Sequence, residues 1–252
     1  MRCLVLSDIH ANLAALEAVL EHARHHHARF DAVWCLGDVV GYGPDPNECV
    51  ERIRGLTASG EPNICLLGNH DWAVLDERIT EAFNDIAAFA VRWTRQALTA
   101  ENLDYLRTLS PTAQHGDYSL AHASLREPIW EYILTAAIAA ENFALMRTTR
   151  ALVGHTHVPA VFVWDTSAQR ARAFALSPGM TLRLNPAHRF ILNPGSVGQP
   201  RDGDPRAAYT VLDIEAGLWT QYRVEYPIAR TQEKMRAQDF PLILVERLAH
   251  GY

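Results

Sequence analysis

Apolar positions along the 252-residue chain change their period in a regular order. Arg2 to Leu6 is a strand-length apolar run, after which Leu13, Leu16, Val19 and Leu20 recur at helical spacing. The switch predicts a strand, a turn and a helix, with Asn12 placed to cap the helix. Ala32 to Leu36 and Ile64 to Leu67 repeat the opening, each a short buried run followed at once by glycine and then by polar residues. The expected organisation is alternating β/α with the chemistry at strand ends.

Between Thr80 and Leu109 the pattern is helical, with Phe83, Ile86, Ala87 and Ala90 on one face as expected core and Thr99 capping the helix that holds Leu103 and Leu106. Tyr118 to Ala121 reads as a strand ending at His122. A Trp130-containing stretch, an alanine-rich helix from Ala136 to Met146 and a strand at Ala151 to Val153 follow. Strands are then expected at Val161 to Trp164, Arg172 to Leu176, Arg189 to Leu192, Ala208 to Ile214 and Leu218 to Tyr226, separated by Gly, Pro, Asn and Asp. Ile228 to Leu248 reads as two short helices broken near Pro241. With no internal repeat, low-complexity tract or linker, residues 1–252 are expected to form a single domain.

Composition narrows the class. With 48% apolar and 21% charged residues, the chain can bury a large core without staples. Cys3, Cys35 and Cys65 lie in or beside strand-like runs, and with Cys49 they read as buried thiols suited to a reducing cytoplasm. The opening MRCLVLSD is too short for a signal peptide, and no stretch approaches the roughly 20 apolar residues of a membrane span, so a soluble cytoplasmic protein is expected. A net charge of −6 disfavours a nucleic-acid partner but is compatible with a small phosphorylated substrate at a site held by cations. The charge does not indicate an oligomeric state.

The candidate chemistry lies where apolar runs end: at Asp8 and His10, at Asp38, at Asn69 and His70, and at His155 and His157. On extended backbone, residues two apart project to one side, so Asp8 with His10, and His155 with His157, can each grip one cation. Asn69 and His70 are adjacent and would point apart, so one is expected to be a ligand and the other not. Carboxylates, an amide oxygen and imidazoles without thiolate suit Mn²⁺, Fe or Zn²⁺ in a reactive centre and suit structural zinc poorly.

The strings SDIHAN from Ser7, GDVVGYGPDP from Gly37, GNHD from Gly68 and GHTH from Gly154, in that order, resemble the calcineurin-like metallophosphoesterase superfamily. The GDVVGYGPDP form is similar to that of its small bacterial predicted phosphodiesterases, and NPGSVGQPRD from Asn193 extends the resemblance to about Asp202. The resemblance implies an α/β fold of two packed mixed β-sheets flanked by helices, a four-layer α/β/β/α sandwich. It also implies two divalent metal ions, one held by Asp8, His10, Asp38 and His157 and the other by Asp38, Asn69, His122 and His155, with Asp38 bridging. The implied activity is hydrolysis of a small phosphodiester or phosphomonoester by a hydroxide bridging the metals. His70 is then the group that protonates the leaving oxygen or stabilises its charge, and Asp71 is expected to orient it. Arg201, Tyr42 and Asn12 are the candidate substrate contacts, Arg201 because a guanidinium can pair bidentately with phosphate oxygens. Asn193 and Ser196 read as turn formers beside the site.

Other functions share parts of this pattern. Serine/threonine protein phosphatases carry an acidic residue followed by arginine shortly after the bridging aspartate, where this chain has Gly41 and Tyr42. Diadenosine-polyphosphate hydrolysis is a second alternative, and a non-catalytic interaction protein on the same fold is a third, disfavoured by the presence of His70. The run His25, His26, His27 sits at a helix end and is expected to face solvent, while His115, His188 and His250 are isolated and structural. Trp72 and Trp130 are candidates for the pocket rim, and core packing is expected for the other tryptophans.

Overall fold

In β1 (Arg2–Leu6) successive side chains alternate between two faces, and both faces are covered. Cys3 and Val5 enter a core between two sheets, whereas Leu4 and Leu6 pack under helices. This double burial is why the run is apolar at almost every position. The computed structural model describes residues 1–27 and 29–252.

Among the described residues, twelve strands form two six-stranded mixed sheets. After β1 come β2 (Ala32–Cys35), β3 (Ile64–Cys65), β4 (Thr112–His115), β5 (Tyr118–Ala121), β6 (Arg150–Leu152) and β7 (Ala160–Asp165). β8 (Arg170–Phe174), β9 (Thr181–Arg183), β10 (Arg189–Asn193), β11 (Ala207–Asp213) and β12 (Leu218–Val224) complete the set. The first sheet runs β3-β2-β1-β11-β12-β9 and the second β4-β5-β6-β10-β7-β8. β1, β2 and β3 are mutually parallel, as are β5, β6 and β10, so each sheet ends three parallel strands at its carboxyl edge. That edge is where open α/β sheets leave room for ligands.

The helices are α1 (Leu13–His26), α2 (Pro46–Thr57), α3 (Asn69–Ala73), α4 (Asp85–Ala97), α5 (Ala100–Arg107), α6 (Ala136–Leu145), α7 (Ile228–Ala237) and α8 (Leu242–His250). Leu16 and Val19 of α1, with Val50 and Ile53 of α2, cover the outer face of the first sheet. Ala139 and Phe143 of α6 cover Ala151, Phe162 and Ile191 on the second. Between the sheets lie Trp34, Leu120, Leu152, Phe190, Leu192, Leu212 and Trp219. The layering is the α/β/β/α arrangement expected from the motifs. The break near Pro241 separates α7 from α8 as expected. Met235, Leu244 and Leu248 of this pair pack against Tyr42, Ala87 and Ala90, and Lys234 Nζ pairs with Asp45 at 2.5 Å.

Several elements differ from the sequence reading. The expected helical stretch from Thr80 opens as a 3-10 turn, Glu77–Ala82, and its first α-helix starts only after Asn84, which caps α4, whereas Thr99 caps α5 as expected. α2 follows a GPDP turn and starts on Pro46, the one helical position where proline is favoured, so its onset reads as loop. α3 is five residues long, too short to show a period. β4 and β9 are short, largely exposed edge strands with little apolar signal. All four cysteines are free, and no described helix is long and apolar enough to cross a membrane.

Leu120 is fully buried between the sheets. Leu120→Ala is expected to lower unfolding free energy by about 2–5 kcal/mol, through lost burial and the cavity left behind, without loss of cooperativity. Urea unfolding followed by fluorescence checks this; a change below about 1 kcal/mol contradicts the inter-sheet packing.

Candidate metal centre

The loops that leave β1, β2, β5 and β6, the start of α3, and the turn after β10 meet at the carboxyl edge. They are tied to each other by main chain. Asp8, His10 and Ala11 donate their N–H groups to the carbonyls of Gly37, Asp38 and Val39 at 2.9–3.0 Å, and Gly154 donates to His122 at 2.7 Å. Val197 and Gly198 donate to the carbonyls of Ser7 and Asp8, each at 3.0 Å. Asn193 Nδ2 donates to the carbonyl of Gly154 at 2.8 Å, and Ser196 Oγ to that of Asp8 at 2.7 Å, so these turn formers also brace the site.

The backbone here is not the extended chain expected from the sequence. Asp8, His10, Asp38, His155 and His157 all have left-handed φ, between 49° and 64°, as do neighbouring Ala11 and Tyr42. Such residues cost about 1–3 kcal/mol each and persist where surroundings over-determine them. The Asp-x-His and His-x-His pairs still converge, but through tight curled loops rather than through strand alternation. Asn69 and His70 correct the same assumption, since both lie in the first turn of α3, about 100° apart around a helix, and diverge for that reason.

Two donor groups result. Asp8, His10, Asp38 and His157 can present one atom each within 4.8 Å of one another, and so can Asp38, His122 and His155, with Asp38 common to both. All are buried. Asn69 Oδ1 lies 3.0 Å from His122 Nε2 and joins the second group. Three of the imidazoles are held by a backbone carbonyl at Nδ1: His10 by Val40 at 3.1 Å, His157 by Gln199 at 2.6 Å and His122 by Leu36 at 2.8 Å. With the proton fixed at Nδ1, Nε2 turns its lone pair to the centre, the outer-shell arrangement that orients metal-binding histidines.

The residues fit divalent cations on their own geometry. His10 Nε2 and His157 Nε2 stand 3.0 Å apart, two lone pairs with no proton between them. Neighbouring ligands bonded at about 2.1 Å stand about 3 Å apart when they subtend about 90° at an ion and about 3.4 Å apart at a tetrahedral angle, so the spacing is that of two ligands of one cation. Asp38 Oδ2 and His155 Nε2 are buried with no hydrogen-bond partner. Burial pushes the Asp8 carboxyl up to about 7 and raises that of Asp38 well above its ordinary range, with Asp71 adding to the latter. Burial also holds His10, His155 and His157 well below the usual imidazole value. Bound cations would remove this cost by pairing with the carboxylate charge and the imidazole lone pairs.

An open pocket of about 190 Å³ reaches the centre, with Asp38, Asn69, His70, His155, His157 and Arg201 in its lining. The His70 ring sits 4.3 Å from Tyr42 and 4.9 Å from Phe83 between centroids, its Nδ1 is buried without a partner, and its backbone N–H donates to Asp38 Oδ1 at 2.8 Å. Arg201 lies over the Tyr42 ring at 5.7 Å and spends one Nη2 bond on Gln199 Oε1 at 2.9 Å, leaving Nε without a partner.

Two expectations are corrected. Asp71 makes no hydrogen bond to the His70 side chain; its carboxylate accepts from the N–H groups of Val39, Val40 and Gly68 at 3.0–3.2 Å, tying two site loops together. Asn12 is spent internally. Its Oδ1 caps α1 through Ala15 and accepts from Thr231, while its Nδ2 donates to Gly198 and Tyr226, and it is not among the residues lining the pocket. Phe83 and Ala87, expected in the core, also line the pocket. Tyr132, which no motif or period marks in the sequence, stacks its ring on His155 at 4.1 Å and is 43% exposed. The signal available was an aromatic pair, Trp130 and Tyr132, in an aperiodic loop shortly after a candidate ligand.

A family profile described as the calcineurin-like phosphoesterase superfamily domain matches residues 1–217. The chain belongs to that superfamily. An uncharacterized protein of Methanocaldococcus jannaschii, MJ0912, is 36% identical over 252 residues, covering 98% of this chain and 97% of that protein. The crystal structure of a metallophosphoesterase from Sphaerobacter thermophilus matches with a TM-score of 0.88 at 47% identity, over 100% of this chain and 99% of that one. A symmetrical bis(5'-nucleosyl)-tetraphosphatase of Vibrio cholerae is 27% identical over 148 residues, 57% of this chain and 52% of that protein, so this phosphoesterase spans about half of that relative. Family membership makes the chain a hydrolase acting on phosphate esters.

Gly68 has no room for a side chain, since a Cβ there would stand 2.1 Å from Asp38 Oδ1 and 2.3 Å from the Asp38 nitrogen. Gly68→Ala is expected to displace the shared carboxylate and weaken metal affinity by about 10–100-fold, as disturbed outer-shell support does. Metal titration by calorimetry reads the effect, and wild-type affinity in a folded variant contradicts it.

Proposed function

We propose that this phosphoesterase hydrolyses a small phosphate monoester or diester at a dinuclear centre. The observation that carries the reading is the sharing of buried Asp38 between two donor groups at the floor of an open pocket. Asp8, His10, Asp38 and His157 hold one ion and Asp38, Asn69, His122 and His155 the other. Divalent cations of the Mn²⁺, Fe or Zn²⁺ class supply, when bound, a Lewis acid that lowers the pKa of water and offsets charge on the phosphoryl oxygens.

The chain's own groups do the rest. Arg201 directs its free guanidinium N–H groups to phosphoryl oxygens, and Tyr42 supports it from beneath. Water attacks phosphorus opposite the departing alkoxide and loses a proton to solvent, the P–O bond to the alkoxide oxygen breaks, and that oxygen gains a proton in turn, with His70 delivering the hydrogen bond or the proton to it. Phe83 and Tyr42 fix the His70 ring by packing on it. Asp71 acts on none of the reacting atoms; it holds the loop of Asp38 against that of Asn69.

A set of assays tests the reading. Chelated protein should hydrolyse neither p-nitrophenyl phosphate nor its bis ester, and added Mn²⁺ should restore turnover; the ratio of the two rates ranks monoesterase against diesterase. Loss of metal dependence ends the proposal. His70→Ala should retain its metal while kcat falls by about 10²–10⁴-fold, the range of a positioned acid-base group. Full activity in a metal-replete variant removes that role. Imidazole donors bind cations only when neutral, so protons compete with the metal as pH falls. Activity should therefore drop on acidification and recover in part with excess Mn²⁺; an acid limb unmoved by metal concentration contradicts the ligand set.

A further inference from the structure

A row of aromatic rings runs outward from His70. Phe83 meets it edge-on at 4.9 Å between centroids, Trp130 meets Phe83 at 5.6 Å, and Trp72 lies 6.2 Å beyond Trp130. Phe83 and Trp130 line the pocket that holds His70, and both tryptophans are 37% exposed. Indole surface left in water beside a polar centre costs hydration free energy, and a flat ring laid against it recovers that cost.

The charge around the row indicates what it can hold. The segment that supplies Phe83 contains Glu77, Glu81 and Asp85, and its one cation, Arg78, is paired with Asp76. Ala82, Asn84 and Ala87 line the pocket beside Phe83, and the Asn84 Oδ1 is committed to the Ala87 N–H at 3.0 Å. Among the described residues, Arg201, over Tyr42, is the one lysine or arginine lining the pocket. A leaving group that carries further phosphates would need cations along its path to offset its charge. An uncharged alcohol would not.

Under the phosphoesterase reading, on which this inference rests, His70 serves the departing oxygen, so the row follows the leaving group. We propose that Phe83, Trp130 and Trp72 form a leaving-group subsite for an uncharged alcohol bearing a planar ring, of the nucleoside class. The subsite selects against leaving groups that carry additional phosphates. It therefore separates this chain from the tetraphosphatase activity named for one of its relatives.

The test compares esters that differ only by the base. Adenosine 5′-phosphate with ribose 5-phosphate, and the methyl diesters of the same two compounds, keep the alcohol chemistry constant within each pair. With Mn²⁺-loaded protein, kcat/KM should favour the base-bearing member of the hydrolysed pair by about tenfold or more, as base stacking on an aromatic side chain does. Trp130→Ala should remove most of that preference, and Trp130→Phe, which keeps a ring, should retain much of it. Diadenosine tetraphosphate should be a poorer substrate than the base-bearing ester. Equal rates within the wild-type pair, a preference untouched by W130A, or a preference for the tetraphosphate overturns the proposal.

Saturation-transfer NMR with adenosine on chelated protein reads the subsite without turnover. Base-proton signals should appear and should be lost in W130A. Signals without hydrolysis of any ester by the metal-loaded protein would uphold the ring subsite and remove the phosphoesterase reading. Hydrolysis without signals or base preference would do the reverse.

Discussion

Asp38 stands where the carboxyl edges of both sheets meet, and the site is arranged around its carboxylate. One oxygen accepts the backbone N–H of His70, and the other is buried with no protein partner within reach of His10 and His122, at 3.6 Å and 3.5 Å. A buried, unpaired carboxylate oxygen among imidazole lone pairs is unfavourable for the protein alone. The fold holds it there through left-handed loops, main-chain bonds between loops, and a glycine at 68 that leaves no space for any other residue. Strain and desolvation are thus concentrated at one point, as expected where binding of cations offsets them.

Keeping that point rigid falls to groups outside the pocket lining. Asp71 ties the loop after β2 to the start of α3, Ser196 and Asn193 tie the turn after β10 to the loops of β1 and β6, and Asn12 links α1 to α7 through Thr231. α7 and α8 lie beyond the segment matched by the family profile, yet they pack beneath Tyr42 and pair with Asp45. The charged and polar side chains near the centre therefore divide into donors aimed at the pocket and braces aimed at the backbone. Residue type alone does not separate them, since an aspartate or asparagine suits either role.

Much of this protein was legible from sequence. The buried runs of β1, β2, β5, β10 and β11, the cap at Thr99 and the break at Pro241 follow from periodicity and local residue signals in a chain that buries both faces of its strands, whereas the four-layer class came from the resemblance of the motifs to a known family. α3, β4 and β9 were not legible because each is too short or too exposed to carry a period. The left-handed backbone at Asp8, His10, Asp38, His155 and His157 was hidden for another reason: residues other than glycine adopt it only when neighbouring loops impose it.

The sequence by itself determined the donor types, their order and their positions after strands, because a mixed oxygen and nitrogen set without thiolate is a matter of composition and spacing. Tertiary structure decided which of those side chains face the pocket and which are consumed within the fold. Asn12 and Asp71 went to the scaffold, and Phe83 and Tyr132 went to the pocket. The physical reason is that a side chain's role is set by its nearest partners, and around this centre those partners lie tens to hundreds of residues away along the chain, as in the pairing of Asn12 with Thr231.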